Sequence, residues 1–188
     1  MSSELAARLT ERGGVTVISS PSVRKIIGAG PHDEMMAFYA RHGSFAAYQV
    51  QRLMAANLPA SQLLATRLES DTVENLPLQR RNLVNSEGML LSDREQRIYT
   101  TRRVTQLSAT MLDLRTGRVV WKRQYRVSPE ASNTSNHLVG ESFSTSVAAA
   151  VANTLVNGIN DTSHPAPVPL INAVHALLQE VAYNAPVR

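Results

Sequence analysis

The chain has no cysteine among its 188 residues. This excludes a disulfide framework, a thiolate metal site and a cysteine nucleophile. It also lacks an apolar run of about 18 residues, so no transmembrane helix is predicted. The phosphate-loop motif GxxxxGK[ST], the dinucleotide-binding motif GxGxxG and the zinc-protease motif HExxH are absent as well. We therefore expect no enzyme activity, no cofactor and no metal.

The remaining candidates for chemistry are weak. The segment Gly28–Gly30 is a lone GxG without the third glycine of a phosphate loop. The segment His32–Glu34 cannot converge on one ion because its residues are adjacent, and Asp33 is better explained as a helix cap. A triad of a serine with His137 and Glu141 lacks a nucleophile-elbow motif. A hydrolase of unknown substrate stays only as a second alternative.

Lysine is scarce, and the positive charge is unevenly placed. Lys25 and Lys122 are the only lysines, so almost all basic residues are arginine. Residues 80–126 hold eleven basic and four acidic residues, whereas acidic residues outnumber basic ones in the rest. Because the guanidinium fork suits carboxylates and phosphates, this segment predicts either a solvated sheet face or a surface for an anionic partner.

The segment Leu107–Val127 predicts an antiparallel hairpin. A first strand over Arg97–Leu114 meets a second strand after a turn at Asp113–Gly117, where glycine can adopt positive φ. The second strand alternates with period two. One face carries Val119, Trp121, Tyr125 and Val127, and the other carries Arg118, Lys122, Gln124 and Arg126.

The same alternation bears on binding to nucleic acid or another polyanion, which we keep as the first alternative function. Arginines interleaved with aromatic residues are typical of surfaces that hold single strands by stacking. Here Trp121 and Tyr125 lie opposite the basic face, so we expect them to enter the core. Phosphate contact without stacking is the remaining version of this alternative, and nucleic acid is not the expected partner.

Local signals elsewhere predict one domain over residues 1–188 with helices and strands in turn. The predicted helices are Ser3–Arg12, Pro21–Ile27, Glu34–His42, Phe45–Asn57, Phe143–Asn157 and Leu170–Tyr183, the last with Ile171, Val174, Leu178 and Val181 inward. Further strands are predicted at Gly14–Ser19 and Gln62–Glu69. A polar excursion spans 72–96, and its short apolar patch Met89–Leu91 is either a hairpin tip or a contact site. A loop spans Ser128–Gly140, and a proline-rich linker spans 164–169.

The order of these elements over Ser3–Val127 resembles a family of bacterial envelope proteins. Its members include the curli-secretion-channel-like lipoproteins, the lipoprotein activators of penicillin-binding proteins and the N-terminal domain of the Tol–Pal propeller protein. The phrase D-L-x-T-G followed by x-V-x-W matches Asp113–Gly117 and Arg118–Trp121. The resemblance implies an α/β (α+β) two-layer sandwich, similar to anticodon-binding domains, in which helices pack on a mixed sheet with a long antiparallel hairpin.

The chain departs from the family pattern at its start. Family members carry a signal peptide and a lipidation cysteine, and their domain begins with a strand before the first helix. This chain shows neither the leader nor that strand before Ser3. An absent strand leaves a sheet edge unpaired. We therefore expect the chain to be a fragment or to begin at a mis-set start, which an in-frame stop codon just before Met1 would refute.

The resemblance implies a non-catalytic accessory or scaffold protein. It would bind protein partners in a periplasmic or outer-membrane-associated assembly of the secretion, flagellar or cell-wall machinery. A homo-oligomer is included among the expected arrangements. The candidate contact surface is the basic strand face, with Arg102, Arg118, Lys122 and Arg126.

Overall fold

A computed structural model describes residues 2–13, 15–139 and 163–186 of the chain. The helices in this part are α1 (Ser2–Arg12), α2 (Ser20–Ile27), α3 (Ala29–His42), α4 (Ala47–Ala55) and α5 (Leu170–Asn184). The strands are β1 (Gln62–Asn75), β2 (Gln79–Val84), β3 (Leu90–Asp113), β4 (Val119–Val127) and β5 (Glu130–Leu138). The predicted class, helices packed on a sheet with a long antiparallel hairpin, is confirmed.

The chain divides into two compact units. Unit 1 comprises Met1–Asp71, Val104–Val127 and Pro169–Arg188, and unit 2 comprises Thr72–Arg103 and Ser128–Val168. Residues of β1 and β3 belong to both units because the long strands cross the unit boundaries in sequence.

The sheet of unit 1 has β3 at its centre. β4 pairs antiparallel with β3 from Leu112↔Val119 to Thr105↔Val127, with a bulge beside Met111. β1 runs antiparallel on the other side, since the Leu114 amide donates to the Ser61 carbonyl whereas Thr105 donates to Asp71. The pairings given for the described residues are therefore antiparallel, and the predicted mixed sheet is not found there.

Helices cover both faces of this sheet, because β3 alternates between two apolar clusters. The first cluster joins α1 and α5 to one face, and the second joins α3 and α4 to the other. β3 contributes Leu107, Ala109 and Met111 to the first cluster and Leu112 to the second. The structure thus adds a second helical layer to the expected sandwich.

The pair of α1 and α5 shows how the first face is closed. Leu5 and Leu9 of α1 are buried in the first cluster together with residues of α5. Nη1 of Arg12 donates to the carbonyl of Ala182 at 2.9 Å and to that of Ala185 at 2.7 Å. A cation at a helix C-terminus satisfies free carbonyls and complements the helix dipole. These contacts anchor the last helix to the first.

Unit 2 is built on the N-terminal part of β3. β5 pairs antiparallel with β3 from Arg94↔Leu138 to Arg102↔Glu130, and β2 pairs from Gln79↔Ile98 to Val84↔Leu90. The predicted excursion at 72–96 is therefore strand over most of its length. Met89 and Leu90, more than half exposed, lie at the hairpin tip as predicted. Residues 164–169 have no regular structure, as expected for the proline-rich linker.

Several predicted elements are wrong. The segment Ser128–Gly140 contains β5 rather than only a loop, because its burial alternates through small polar residues that give no apolar pattern. Val15–Ser19 is irregular, since β-propensity alone supplies no ladder partner. α3 begins at Ala29, so Asp33 does not cap it. The predicted helix Phe143–Asn157 lies outside the described residues.

Candidate functional site

The strand β4 carries Lys122 and Arg126 of the four predicted contact residues, and Arg118 lies in the turn directly before it. Trp121 and Tyr125 are half-buried against the first cluster, with ring centroids 6.4 Å apart. The prediction that these aromatic side chains face the core is confirmed. Residues directly opposite in an antiparallel pair share a face. Lys122 and Arg126 are opposite Thr110 and Gln106, so they project from the other face.

The three cations of β4 and its turn are exposed to solvent. Arg118, Lys122 and Arg126 make no side-chain ion pair with any residue that the structure describes. Lys122 and Arg126 are four residues apart, which corresponds to about 13 Å along a strand. Arginine and lysine side chains at this spacing can each donate hydrogen bonds to a separate carboxylate of a bound chain. We call Arg118, Lys122 and Arg126 the basic row.

Arg102 does not belong to the same unit as the basic row. It lies in unit 2, where its Nε donates to Oε1 of Glu130 at 2.8 Å. Its Nη1 lies 3.4 Å from Oε1 of Glu74. Two carboxylates of the chain itself therefore neutralise this guanidinium, so Arg102 is a weaker candidate for partner contact than the other three residues.

The turn before β4 positions the first cation of the basic row. Oδ1 of Asp113 accepts hydrogen bonds from the amides of Arg115 and Thr116, both at 2.8 Å. The bond from Thr116 is the main reason why the pKa of Asp113 is lowered. Gly117 has φ +68°, and a Cβ there would lie 2.9 Å from Sδ of Met54. The positive φ of the turn favours glycine at this position, and a Cβ there would also force the Met54 side chain to shift.

A hydrogen-bonded chain that the sequence analysis missed joins α2 to α3. Oγ of Ser20 lies 3.1 Å from Nε2 of His32, whose Nδ1 lies 3.0 Å from Oδ1 of Asp33. Arg24 donates to both oxygens of Asp33 at 3.1 and 2.8 Å. The bond from Arg24, followed by that from His32, holds the pKa of Asp33 well below its usual range. No local sequence motif predicts this set of hydrogen bonds, because Ser20 and His32 are twelve residues apart.

The order serine, histidine, aspartate invites comparison with a nucleophilic triad. Such a triad also needs N–H donors for the oxyanion. Pro21 has no N–H, and the amides of Ser22 and Val23 both donate to the carbonyl of Ser19. The backbone after Ser20 therefore offers no free donor at this helix start. These hydrogen bonds connect α2 to α3.

A cavity of about 400 Å³ lies in unit 1, with Ser20 and His32 of this hydrogen-bonded set among its lining residues. Its walls are the segments Val15–Ser20 and Leu58–Thr66, with side chains such as Met35 and Met111 between them. The irregular segment that was predicted as a strand thus forms one wall. The size falls in the range of small-ligand sites. The lining is mainly apolar, and His32 is its titratable side chain among these residues.

The other histidines have local partners. His137 is buried, its Nε2 lies 2.8 Å from Oγ of Ser135, and burial lowers its pKa. Glu141, the third member of the triad weighed from sequence, lies outside the described residues. Nε2 of His164 donates to the carbonyl of Leu76 at 3.0 Å. Among the described residues, no group of three or more histidine or carboxylate side chains is arranged to hold a metal ion.

Comparisons with known proteins add no relative to these observations. No protein-family model matches the chain, and a search of curated proteins returns no match. Of the helices in the described part, none has the length and apolar character needed to cross a membrane.

Proposed function

We propose that this protein is a non-catalytic accessory module that binds an acidic segment of a protein partner through the basic row on β4. The observation that carries the proposal is that Lys122 and Arg126 are exposed, have no ion partner among the described residues and lie four residues apart on a strand whose other face is packed. Arg118 adds a third exposed cation in the turn before the strand. Packed backbone gives the surface a defined shape, so it can select a partner by geometry as well as by charge.

The family resemblance supports a location for this activity. Members of the family that the hairpin resembles act in bacterial envelope assemblies, and part of the family phrase falls on Asp113–Gly117, which forms a hydrogen-bonded turn. We therefore propose that the partner belongs to a periplasmic or outer-membrane-associated assembly of secretion, flagellar or cell-wall machinery.

The nucleic-acid alternative has less support from the site. Binding of single strands draws on aromatic side chains for stacking. Trp121 and Tyr125 pack on the first apolar cluster, away from Lys122 and Arg126. Phosphate contact alone would make binding strongly dependent on salt. A mobility-shift titration of nucleic acid at low salt distinguishes the two candidate functions. Binding of a protein partner predicts no shift, whereas binding of nucleic acid predicts one.

The test is a quantitative affinity capture from envelope extract of the native host with the K122E/R126E variant. The matched control is R80E/R81E, which reverses two exposed arginines on β2. We expect wild type and the control to recover the same partner in equal amounts. K122E/R126E should recover at least about ten-fold less of it, because two attractive charges become repulsive; a tenfold change in affinity corresponds to about 1.4 kcal/mol. Equal recovery by both variants would contradict the proposal.

A further inference from the structure

We propose, resting on the function above, that the acidic segment of the partner binds as an added β-strand on the free edge of β4. Within the described residues β4 pairs with β3 and with no other strand. An edge strand leaves the N–H and C=O of every second residue without a ladder partner. Those groups point into the plane of the sheet, where an extended chain can pair with them.

The free edge is long and regular enough to accept a strand. From Trp121 to Val127 each residue of β4 follows the register with β3 without interruption, and the bulge is confined to the region of Val120. β4 contains neither proline nor glycine. Proline, strong bulges and short length are devices by which proteins close an edge to pairing. Over Trp121–Val127 the strand has none of these three devices, and it presents charged side chains.

Charge then decides which strand is accepted. Lys122, Arg123 and Arg126 are all exposed along β4. A second copy of β4 at this edge would bring like charges together, which is destabilising for directly opposed residues. A strand with carboxylates at the matching positions would instead be stabilised by attraction between opposite charges. The cations thus exclude self-pairing and select an acidic occupant, which is specificity by repulsion as well as attraction.

The spacing of the basic row predicts the pattern of the occupant. Lys122, Gln124 and Arg126 share one face of β4. Side chains of an added strand that face the same way recur every second residue. The occupant should therefore carry acidic residues four apart, a polar residue between them, and apolar β-branched residues at the alternate positions. Exposed Val119, at the start of β4, extends the apolar part of this surface.

The experiment uses the full chain and a synthetic nine-residue peptide with two glutamates four apart, threonine midway between them and valine at the remaining positions. Binding is followed by fluorescence anisotropy of the labelled peptide. Two further peptides carry N-methyl groups on one or the other alternate set of amides. Strand addition uses only one set, so we expect one methylated peptide to bind about ten-fold more weakly or worse and the other to bind as the parent does.

The outcomes separate the two proposals. If both methylated peptides bind as the parent does while K122E/R126E still weakens binding, the basic row binds acidic chains without strand addition, and this inference is overturned alone. If K122E/R126E binds the parent peptide as wild type does, the proposed function fails too. Sedimentation that shows self-association lost in K122E/R126E would assign the edge to a second copy and overturn the acidic occupant. The comparison of the methylated peptides uses the wild-type chain, so the test of strand addition does not depend on whether the K122E/R126E variant folds.

Discussion

Single side chains make the junction between the helices α2 and α3 specific. Arg24 of α2 binds Asp33 of α3 with two hydrogen bonds. Ser20, one helical turn before Arg24 on α2, contacts His32. A bidentate pair fixes orientation as well as distance. Both side chains of the ion pair are about half exposed, so solvent screens the attraction. The pair therefore orients two short helices more than it stabilises the fold.

The lowered pKa of Asp33 gives this pair a testable pH dependence. Because the folded-state pKa lies below the unfolded value of about 3.9, the stabilisation is present above that value and is lost as pH falls below it. We expect Asp33→Asn to lower the urea midpoint at pH 7, and the difference from wild type to shrink as the pH falls toward 3.

The control for this prediction is Glu11→Gln. Glu11 is exposed on α1 and makes no ion pair with a described residue. Its substitution should leave the urea midpoint close to that of wild type at each pH. A difference between wild type and Asp33→Asn that stays constant from pH 7 to pH 3 would show that the carboxylate charge is not what matters.

At the scale of elements, α5 shows how a helix is chosen by its buried face. Val174, Leu177, Leu178 and Val181 are buried in the first cluster, which is the spacing of a helix face. The apolar spacing correctly predicts that Val174, Leu178 and Val181 face inward, and it wrongly predicts the same for Ile171. Ile171 is 55% exposed, and Leu177, fully buried, takes the place expected of it. Both are apolar, so composition alone does not separate them.

This difference between two residues of one helix predicts their mutational cost. Leu177→Ala should lower the free energy of unfolding by about 2–5 kcal/mol, because it removes buried methyl groups and leaves a cavity. Ile171→Ala, on the same helix, should change it by no more than about 0.5 kcal/mol. Equilibrium urea unfolding measures both values. Similar losses for the two variants would be inconsistent with the described orientation of α5.

β5 shows where prediction from local pattern stops. Its residues from Glu130 to Leu138 include serine, asparagine, threonine and histidine, with little apolar periodicity. It is a strand because β3 offers it a partner from Arg94 to Arg102. Oγ of Ser132 and Oγ1 of Thr100 are 2.9 Å apart across this pair. Such polar ladders are decided by a partner that is distant in sequence, so a local window cannot predict them.

At the scale of the whole molecule, the two units differ in their apolar content. Both apolar clusters consist of residues of unit 1. In unit 2 most of the residues that pair between the described strands are polar, and β2 is mostly exposed. Since burial of apolar side chains is the main favourable term in folding, we expect the two units to differ in local stability.

Native-state hydrogen exchange measures this difference. Amides of Leu107–Leu112 in β3, which lie between the two clusters, should exchange about a hundred-fold more slowly than those of Gln79–Val84 in β2. Amides of β5 are the internal comparison, since β5 pairs with the same strand as β2 does. Equal protection of all three segments would mean that the molecule opens only as one cooperative unit.

Alternation and turn chemistry are local properties, so the sequence alone was enough to predict the hairpin, the turn at Asp113–Gly117 and the opposite faces of Trp121 and Lys122. It misplaced Val119, because the bulge beside Met111 puts Val119 opposite Leu112, away from the face of Trp121, and leaves it 57% exposed. It also determined the helices α1 and α5 through their apolar spacing. Only the tertiary structure decided what β4 leaves unpaired, that Glu74 and Glu130 neutralise Arg102, and that Ser20 meets His32. A periodic pattern states which side of an element is buried, whereas the identity of its neighbours depends on contacts between residues far apart in the chain.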